Sequence, residues 1–210
     1  YKKGGAAMRP VLFTQRVEIV GAYGERRDAA DQRVADFIYA CGFLPIPLPN
    51  DPIKTEQIFH AINIVGIVLT GGNSLVKYGG NAPERDGTDR ILLELAVQKE
   101  MPLYGFCRGM QSILDYFGNE LVEVEDHVAV RHMVAGAEET QEVNSYHNQG
   151  CLNIVSEELE ALLETDDGVI EKICHKRLPI LGTMWHPERE IPFRGADIAM
   201  IRELFGGNRL

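Results

Sequence analysis

The chain has 210 residues, 45% of them hydrophobic and 25% charged, with a formal net charge of −10. That length suits one α/β domain with a sizeable core and one active site, expected over residues 8–207, with residues 1–7 read as a cloning remnant or an unstructured leader. The negative balance repels a phosphate backbone, and the only tight basic pairs are Lys2-Lys3, Arg26-Arg27 and Lys176-Arg177, so no nucleic-acid partner is expected. No run approaches the roughly 20 apolar residues of a membrane span, and no charged-then-apolar signal segment opens the chain. Cys41, Cys107, Cys151 and Cys174 show neither Cys-x-x-Cys pairing nor metal-ligand spacing. Reduced thiols in a cytoplasmic protein without a membrane partner are the simplest account.

In chain order, apolar and amphipathic segments alternate: a strand over Val11 to Val17, a helix over Asp28 to Cys41, a strand over Leu44 to Pro49, a helix over Ile53 to Ile62. This βαβα rhythm predicts a largely parallel sheet with helices on both faces. It continues with a strand over Val65 to Thr70, a helix over Asp89 to Lys99, a strand over Leu103 to Phe106 and a helix over Arg108 to Phe117. Shorter strands follow at His127 to Val134, Glu142 to Ser145 and Val169 to His175. An apolar strand, Pro179 to Trp185, precedes a closing helix over Ala196 to Phe205. These late strands predict a short mixed or antiparallel extension on a three-layer α/β fold. His127, His132 and His175 read either way; satisfied structural histidines outnumber functional ones, and no role is assigned to them.

Gly105-Phe-Cys107-Arg-Gly109 sits where an apolar strand meets an amphipathic helix. That is the setting of a nucleophile elbow, in which a sharp strand-to-helix turn exposes the central side chain above the sheet. Helix N-terminal amides favour a thiolate and lower the pKa of a thiol there from about 8.5. The pattern alone also describes a small buried cysteine in a glycine-rich turn, so the decision needs a base. His186-Pro187-Glu188 supplies one: a residue before proline is pushed towards extended conformations, and in an extended chain residues two apart share a side. A carboxylate beside imidazole fixes its tautomer and leaves the other nitrogen for the nucleophile's proton. Cys107, His186 and Glu188 therefore read as a triad. The oxyanion of acyl transfer needs donors, and the N–H groups of Gly72, in the Gly71-Gly72 turn after a buried strand, and of Arg108 are the candidates.

Thr70-Gly71-Gly72, Gly105-Phe-Cys107-Arg-Gly109-Met-Gln111 and His186-Pro187-Glu188, in this order, resemble the class I glutamine amidotransferase superfamily, over about residues 11 to 205. Tyr78, Arg85-Asp86, Asp89-Arg90 and Arg108-Gly109-Met110-Gln111 are more similar to its free-standing γ-glutamyl hydrolases, the group with γ-glutamyl-γ-aminobutyrate hydrolase, than to amidotransferase subunits. Asn144 to Gln149 and Met184 to Glu190 are similar to the sub-branch that cleaves γ-glutamyl cytidine diphosphoramidate. The resemblance implies a flavodoxin-like fold and a thioester mechanism with no cofactor and no metal. It implies a small-molecule γ-glutamyl substrate, held by Gln111 and by Ser145, Tyr146 and His147. From residues alone, the Ser145 to Gln149 patch is a binding loop or an exposed turn. Many of these hydrolases carry aspartate where this chain has Asn73, which alters the charge beside the oxyanion donors. A homodimer is compatible with the sequence, which does not fix the oligomeric state. Two rival readings remain: a glutaminase subunit that passes ammonia to a separate synthase partner, and a non-catalytic binding module.

Overall fold

The computed structural model describes residues 7–137 and 139–207; the leader expected at residues 1–7 lies, but for Ala7, outside them. In order, the elements are β1 (Pro10–Phe13), β2 (Arg16–Val20), β3 (Glu25–Ala29), α1 (Gln32–Ala40), β4 (Leu44–Pro47), α2 (Pro52–Ala61), β5 (Gly66–Leu69), α3 (Pro83–Lys99) and β6 (Leu103–Phe106). They continue with α4 (Arg108–Tyr116), β7 (Val122–Glu123), β8 (Val128–Ala135), β9 (Thr140–Tyr146), β10 (Gln149–Gly150), β11 (Leu159–Glu164), β12 (Ile170–His175), β13 (Ile180–Thr183) and α5 (Gly195–Gly206). Nine strands form one sheet in the order β4-β1-β5-β6-β13-β12-β11-β8-β9. The five from β4 to β13 run parallel, and the rest pair antiparallel.

Successive strand residues point to opposite faces, and both faces of the parallel half are covered. Leu12, Ile67, Leu69, Leu103 and Ile180 face one core with Phe59 of α2, Leu92 of α3 and Met110 and Ile113 of α4. Val11, Phe13, Val68, Tyr104, Phe106 and Leu181 face the other, with Val34 and Phe37 of α1 and Ile201, Leu204 and Phe205 of α5. This is the three-layer α/β architecture expected. The antiparallel extension is longer than expected, at four strands, and has its own small core of Val134, Val143, Leu163 and Trp185.

Three local expectations are corrected. The strand expected over Val11 to Val17 breaks after Phe13, because Thr14 and Gln15 turn the chain out of the sheet. Arg16–Val20 pairs instead with Glu25–Ala29 in a separate hairpin. Consequently Asp28 is in a strand, and the first helix begins four residues later than expected, capped by the Asp31 carboxylate accepting from the Arg33 N–H at 2.9 Å. The helix expected from Asp89 begins at Pro83, as suits a residue with preset φ at a first helical position.

Candidate active site

Three loops meet at the carboxyl ends of the adjacent parallel strands β5, β6 and β13: Thr70-Gly71-Gly72, Cys107 and His186. Ligand crevices of open α/β sheets form at such ends. Cys107 has φ +51° and ψ −112°, a strained conformation for a non-glycine residue that costs on the order of 1–3 kcal/mol. Its N–H donates to Thr183 O at 2.8 Å, tying the elbow to β13. The flanking glycines serve close approach. A Cβ on Gly109 would lie 2.0 Å from Leu69 O, and one on Gly105 2.6 Å from the Gly109 carbonyl. Helix α4 can therefore lie directly on the strand backbones only if both are glycine.

His186 is 4% exposed and Glu188 3%. The expected local geometry is corrected: the chain is extended at His186 but enters a turn of 3₁₀ helix over Pro187–Arg189. The two side chains still meet, His186 Nδ1 lying 2.7 Å from Glu188 Oε1. Since a carboxylate accepts, Nδ1 carries the hydrogen and the other ring nitrogen is left for the thiol. Burial alone pushes the Cys107 thiol up, but the charge and hydrogen bond of His186, helped by the Arg108 N–H, outweigh it and bring the thiol below its ordinary value. Burial likewise pulls His186 down, while Cys107 and Glu188 raise it more strongly. The pair favours thiolate and imidazolium.

Residues without an assigned role in the sequence hold this geometry. The Asn144 amide brackets the backbone of His186, its Oδ1 accepting from His186 N at 2.9 Å and its Nδ2 donating to His186 O at 2.9 Å. Arg33 of α1 donates to the carbonyls of Glu188 and Glu190, at 2.7 and 2.6 Å. The buried Arg85 guanidinium donates to the carbonyls of Thr70, Gly71 and Gly72. In a trans peptide the N–H points opposite to the C=O, so the bond to Gly71 O turns the Gly72 N–H away from Arg85. Burial, with the Arg108 charge, pulls Arg85 down to about 9, still cationic at neutral pH. The Arg108 side chain is held by Asp86, at 2.5 Å, and by Asp89. Arg85, Asp86 and Asp89 were visible in the sequence as marks of a resemblance; the structure gives them work as struts.

The other expected residues divide. Gln111, one turn beyond Cys107, donates to Gln149 O at 3.0 Å. Ser145 is fully buried and donates to His127 O at 2.6 Å. The ring of His147 faces Glu171, 3.0 Å away. Tyr146 is exposed, unlike Ser145 and His147 on either side, its ring edge-on to His186 at 5.6 Å and under Arg189 at 4.0 Å. Asn73, rather than merely changing local charge, replaces a strand partner. Its Oδ1 accepts from Val17 N at 2.8 Å and its Nδ2 donates to Val17 O at 3.0 Å, anchoring the β2–β3 hairpin beside the cleft. The cleft is lined by Arg16, Asp31, Gly71, Gly72, Phe106, His186 and Arg189, among others. Arg26 and Arg27 face away from any free role, paired with Glu84 and Glu25. No helix among the described residues is long and apolar enough to cross a membrane.

A flavodoxin-like sheet that brings a buried thiol, imidazole and carboxylate to the ends of two neighbouring parallel strands defines an α/β protein with its candidate site at the carboxyl edge of the sheet. More specifically, residues 28–200 match the model of the glutamine amidotransferase class-I family, and the chain belongs to that family. It is 35% identical over 198 residues to the γ-glutamyl-CDP-amidate hydrolase of Campylobacter jejuni, covering 92% of this chain and 96% of that one. It is 28% identical over 226 residues to the γ-glutamyl-γ-aminobutyrate hydrolase of Escherichia coli O157:H7, covering 88% and 86%. Among solved structures, a Thermoplasma acidophilum protein assigned to GMP synthase superposes with a TM-score of 0.71 at 18% identity, covering 96% and 94%. That last likeness shows the fold alone.

Proposed function

We propose that the chain is a cysteine-dependent γ-glutamyl amide hydrolase of the cytoplasm, acting through a Cys107 thioester. The observation that carries this reading is the relay from Cys107 to His186 to Glu188, with Cys107 at a strained elbow and its thiol lowered by His186. In the proposed reaction the Cys107 thiolate adds to the γ-carbonyl carbon, and the electron pair displaced onto oxygen is held by the N–H groups of Gly72 and Arg108. The protonated nitrogen of His186 gives its proton to the departing amine as the C–N bond breaks. Water then loses a proton to His186, adds to the thioester and releases glutamate and the free thiolate. Glu188 keeps His186 in the required tautomer throughout. The steps balance with these groups alone, so the reaction calls for neither metal nor organic cofactor.

The leaving group proposed is a phosphoramidate, as in γ-glutamyl-CDP-amidate. Two observations support it: the 35% identical relative carries that name, and Arg189 and Arg16, the latter paired with Glu18, line the cleft together with His186, which suits an anionic leaving group. Gln111 and the backbone of Ser145, Tyr146 and His147 are proposed to hold the glutamyl end. The test is to incubate the purified chain with glutamine, γ-glutamyl-γ-aminobutyrate and γ-glutamyl-CDP-amidate and to quantify glutamate. Rapid release from the phosphoramidate, with little from glutamine, is expected. Silence on every amide until a synthase partner is added would replace this reading with a glutaminase subunit.

A further inference from the structure

Away from the cleft, three histidines converge on one oxygen. Glu171 of β12 is fully buried, and its Oε1 lies 3.0 Å from His147 Nε2, 3.6 Å from His127 Nδ1 and 3.6 Å from His132 Nε2. The ring of His127 is 4.8 Å from that of His132 and 4.9 Å from that of His147. His127 and His132, which the sequence left without a role, are thus not hydrogen-bonded at every nitrogen. His127 Nδ1, His132 Nε2 and Glu171 Oε2 are all buried without a hydrogen-bond partner, a costly condition for polar groups unless something else joins them.

The outer hydrogen bonds decide which atoms face inward. His127 Nε2 lies 3.1 Å from Asp167 Oδ2, and His147 Nδ1 3.1 Å from Gln149 O. Carboxylate and carbonyl oxygens only accept, so each of these nitrogens carries the hydrogen. In the neutral ring, the nitrogen aimed at Glu171 then holds a lone pair. A lone pair 3.0 Å from a carboxylate oxygen is repulsive unless a proton or a cation lies between them. Histidine backed by carboxylate or backbone carbonyl is the usual outer support of metal-ligating imidazole.

The spacing admits a metal. Ligands at about 2.0–2.1 Å from a tetrahedral ion stand about 3.3 Å apart. The separations of 3.0 and 3.6 Å about Oε1 bracket that edge, and the donor atoms of His127, His147 and Glu171 all lie within 4.8 Å of one another. Two imidazoles and one carboxylate, with water as the fourth ligand, form a donor set suited to Zn²⁺, and His132 stands beside that triplet. We propose that His127, His147 and Glu171 bind one Zn²⁺ that ties the residue before β8, the loop after β9 and β12 together. The ion has no part in the proposed hydrolysis. Its effect is positional: His147 follows Tyr146, whose ring abuts His186, so a fixed His147 fixes that side of the cleft.

The test uses the full chain carrying Cys107→Ser, which removes the thiolate–imidazole pair of the cleft as a competing zinc ligand set, and carrying no histidine tag. After chelator treatment, calorimetric titration with Zn²⁺ alone is expected to give one equivalent bound, with a melting midpoint that climbs as Zn²⁺ is added. Co²⁺ in its place should give the visible bands of a tetrahedral site. His147→Gln should abolish binding. Should that variant fail to fold, Asp167→Asn, whose side chain is 58% exposed, should still fold and bind about 10–100-fold more weakly. Two results would overturn the site: a folded, stripped chain that takes up no Zn²⁺ and does not shift its midpoint, or binding undiminished by both substitutions. The first would leave a proton-sharing cluster, and the second would place the ion elsewhere.

Discussion

Replacing Gly71 with alanine should cripple turnover by moving a histidine rather than by touching the thiol. The backbone of Gly71 lies outside the left-handed region, so alanine is conformationally acceptable there and the perturbation is purely steric. Its Cβ would sit 2.7 Å from Cε1 and 3.4 Å from Nδ1 of His186, and 3.3 Å from Phe106. Carbon contacts are comfortable at about 3.5–4.0 Å, so the imidazole must retreat by about 1 Å. It cannot do so freely, because Glu188 holds Nδ1 and Asn144 holds the backbone on both sides. The strain should cost about 1–3 kcal/mol of stability, and a misplacement of about 1 Å in a reacting group costs about 10²-fold in rate. Steady-state kinetics on the best amide, with thermal melting in parallel, measure both. Gly72→Ala is the contrast. There φ is +85° and the nearest obstacle is the flexible Arg16 Cδ at 2.9 Å, so the expected cost is about 1–2 kcal/mol of backbone strain. A Gly71→Ala enzyme with unaltered kcat would refute the placement of His186 against the Gly71-Gly72 turn.

Alkylation should discriminate sharply among the thiols. Burial pushes Cys41 up to about 12 and raises Cys151 and Cys174, whereas Cys107 is lowered, so intact-mass spectra at neutral pH should show one adduct, on Cys107. Because the thiol is lowered and His186 raised, the reactive ion pair spans the interval between them. Its stabilising share is lost as pH falls through the folded value of Cys107 and as pH rises through that of His186. An alkylation rate that climbs only near pH 8.5, like a free cysteine, would contradict this. Arg85→Leu strands three carbonyls that now accept from the guanidinium, and urea denaturation should show a loss of about 3 kcal/mol or more. Asn73→Asp removes the donor to Val17 O and should cost about 1 kcal/mol, with faster proteolysis of the β2–β3 hairpin as the local readout.

The sheet's parallel half was legible in the sequence because each strand buried on both faces reads as a continuous apolar run, as in Val65 to Leu69 and Leu103 to Phe106. The hairpin was not: Glu25–Ala29 is largely exposed and polar, so no burial pattern marks it as a strand. Leu159–Glu164, Leu-Glu-Ala-Leu-Leu-Glu, is rich in helix formers yet forms a strand, because pairing with β12 outweighs intrinsic preference. The early start of α3 was hidden for a related reason, since the first residues it buries include Arg85, Thr88 and Asp89, which carry no apolar periodicity. At the site, Cys107, Gly71-Gly72 and His186-Pro187-Glu188 announce themselves by local pattern. Asn144 and Arg33 do not, lying 42 and 155 positions from the backbone groups they hold; only folding brings them there. The histidine cluster was invisible for the same reason, its members being spread over three separate segments.

The central claim is that Cys107 carries the γ-glutamyl group, and acid-quenched intact-mass spectrometry during turnover tests it most directly. The expected result is a mass increase of one γ-glutamyl group on the native chain, mapped to Cys107, discharged by hydroxylamine and absent from a folded Cys107→Ala variant that no longer releases glutamate. A Cys107→Ala chain that still hydrolyses the amide at near-normal rate would contradict it.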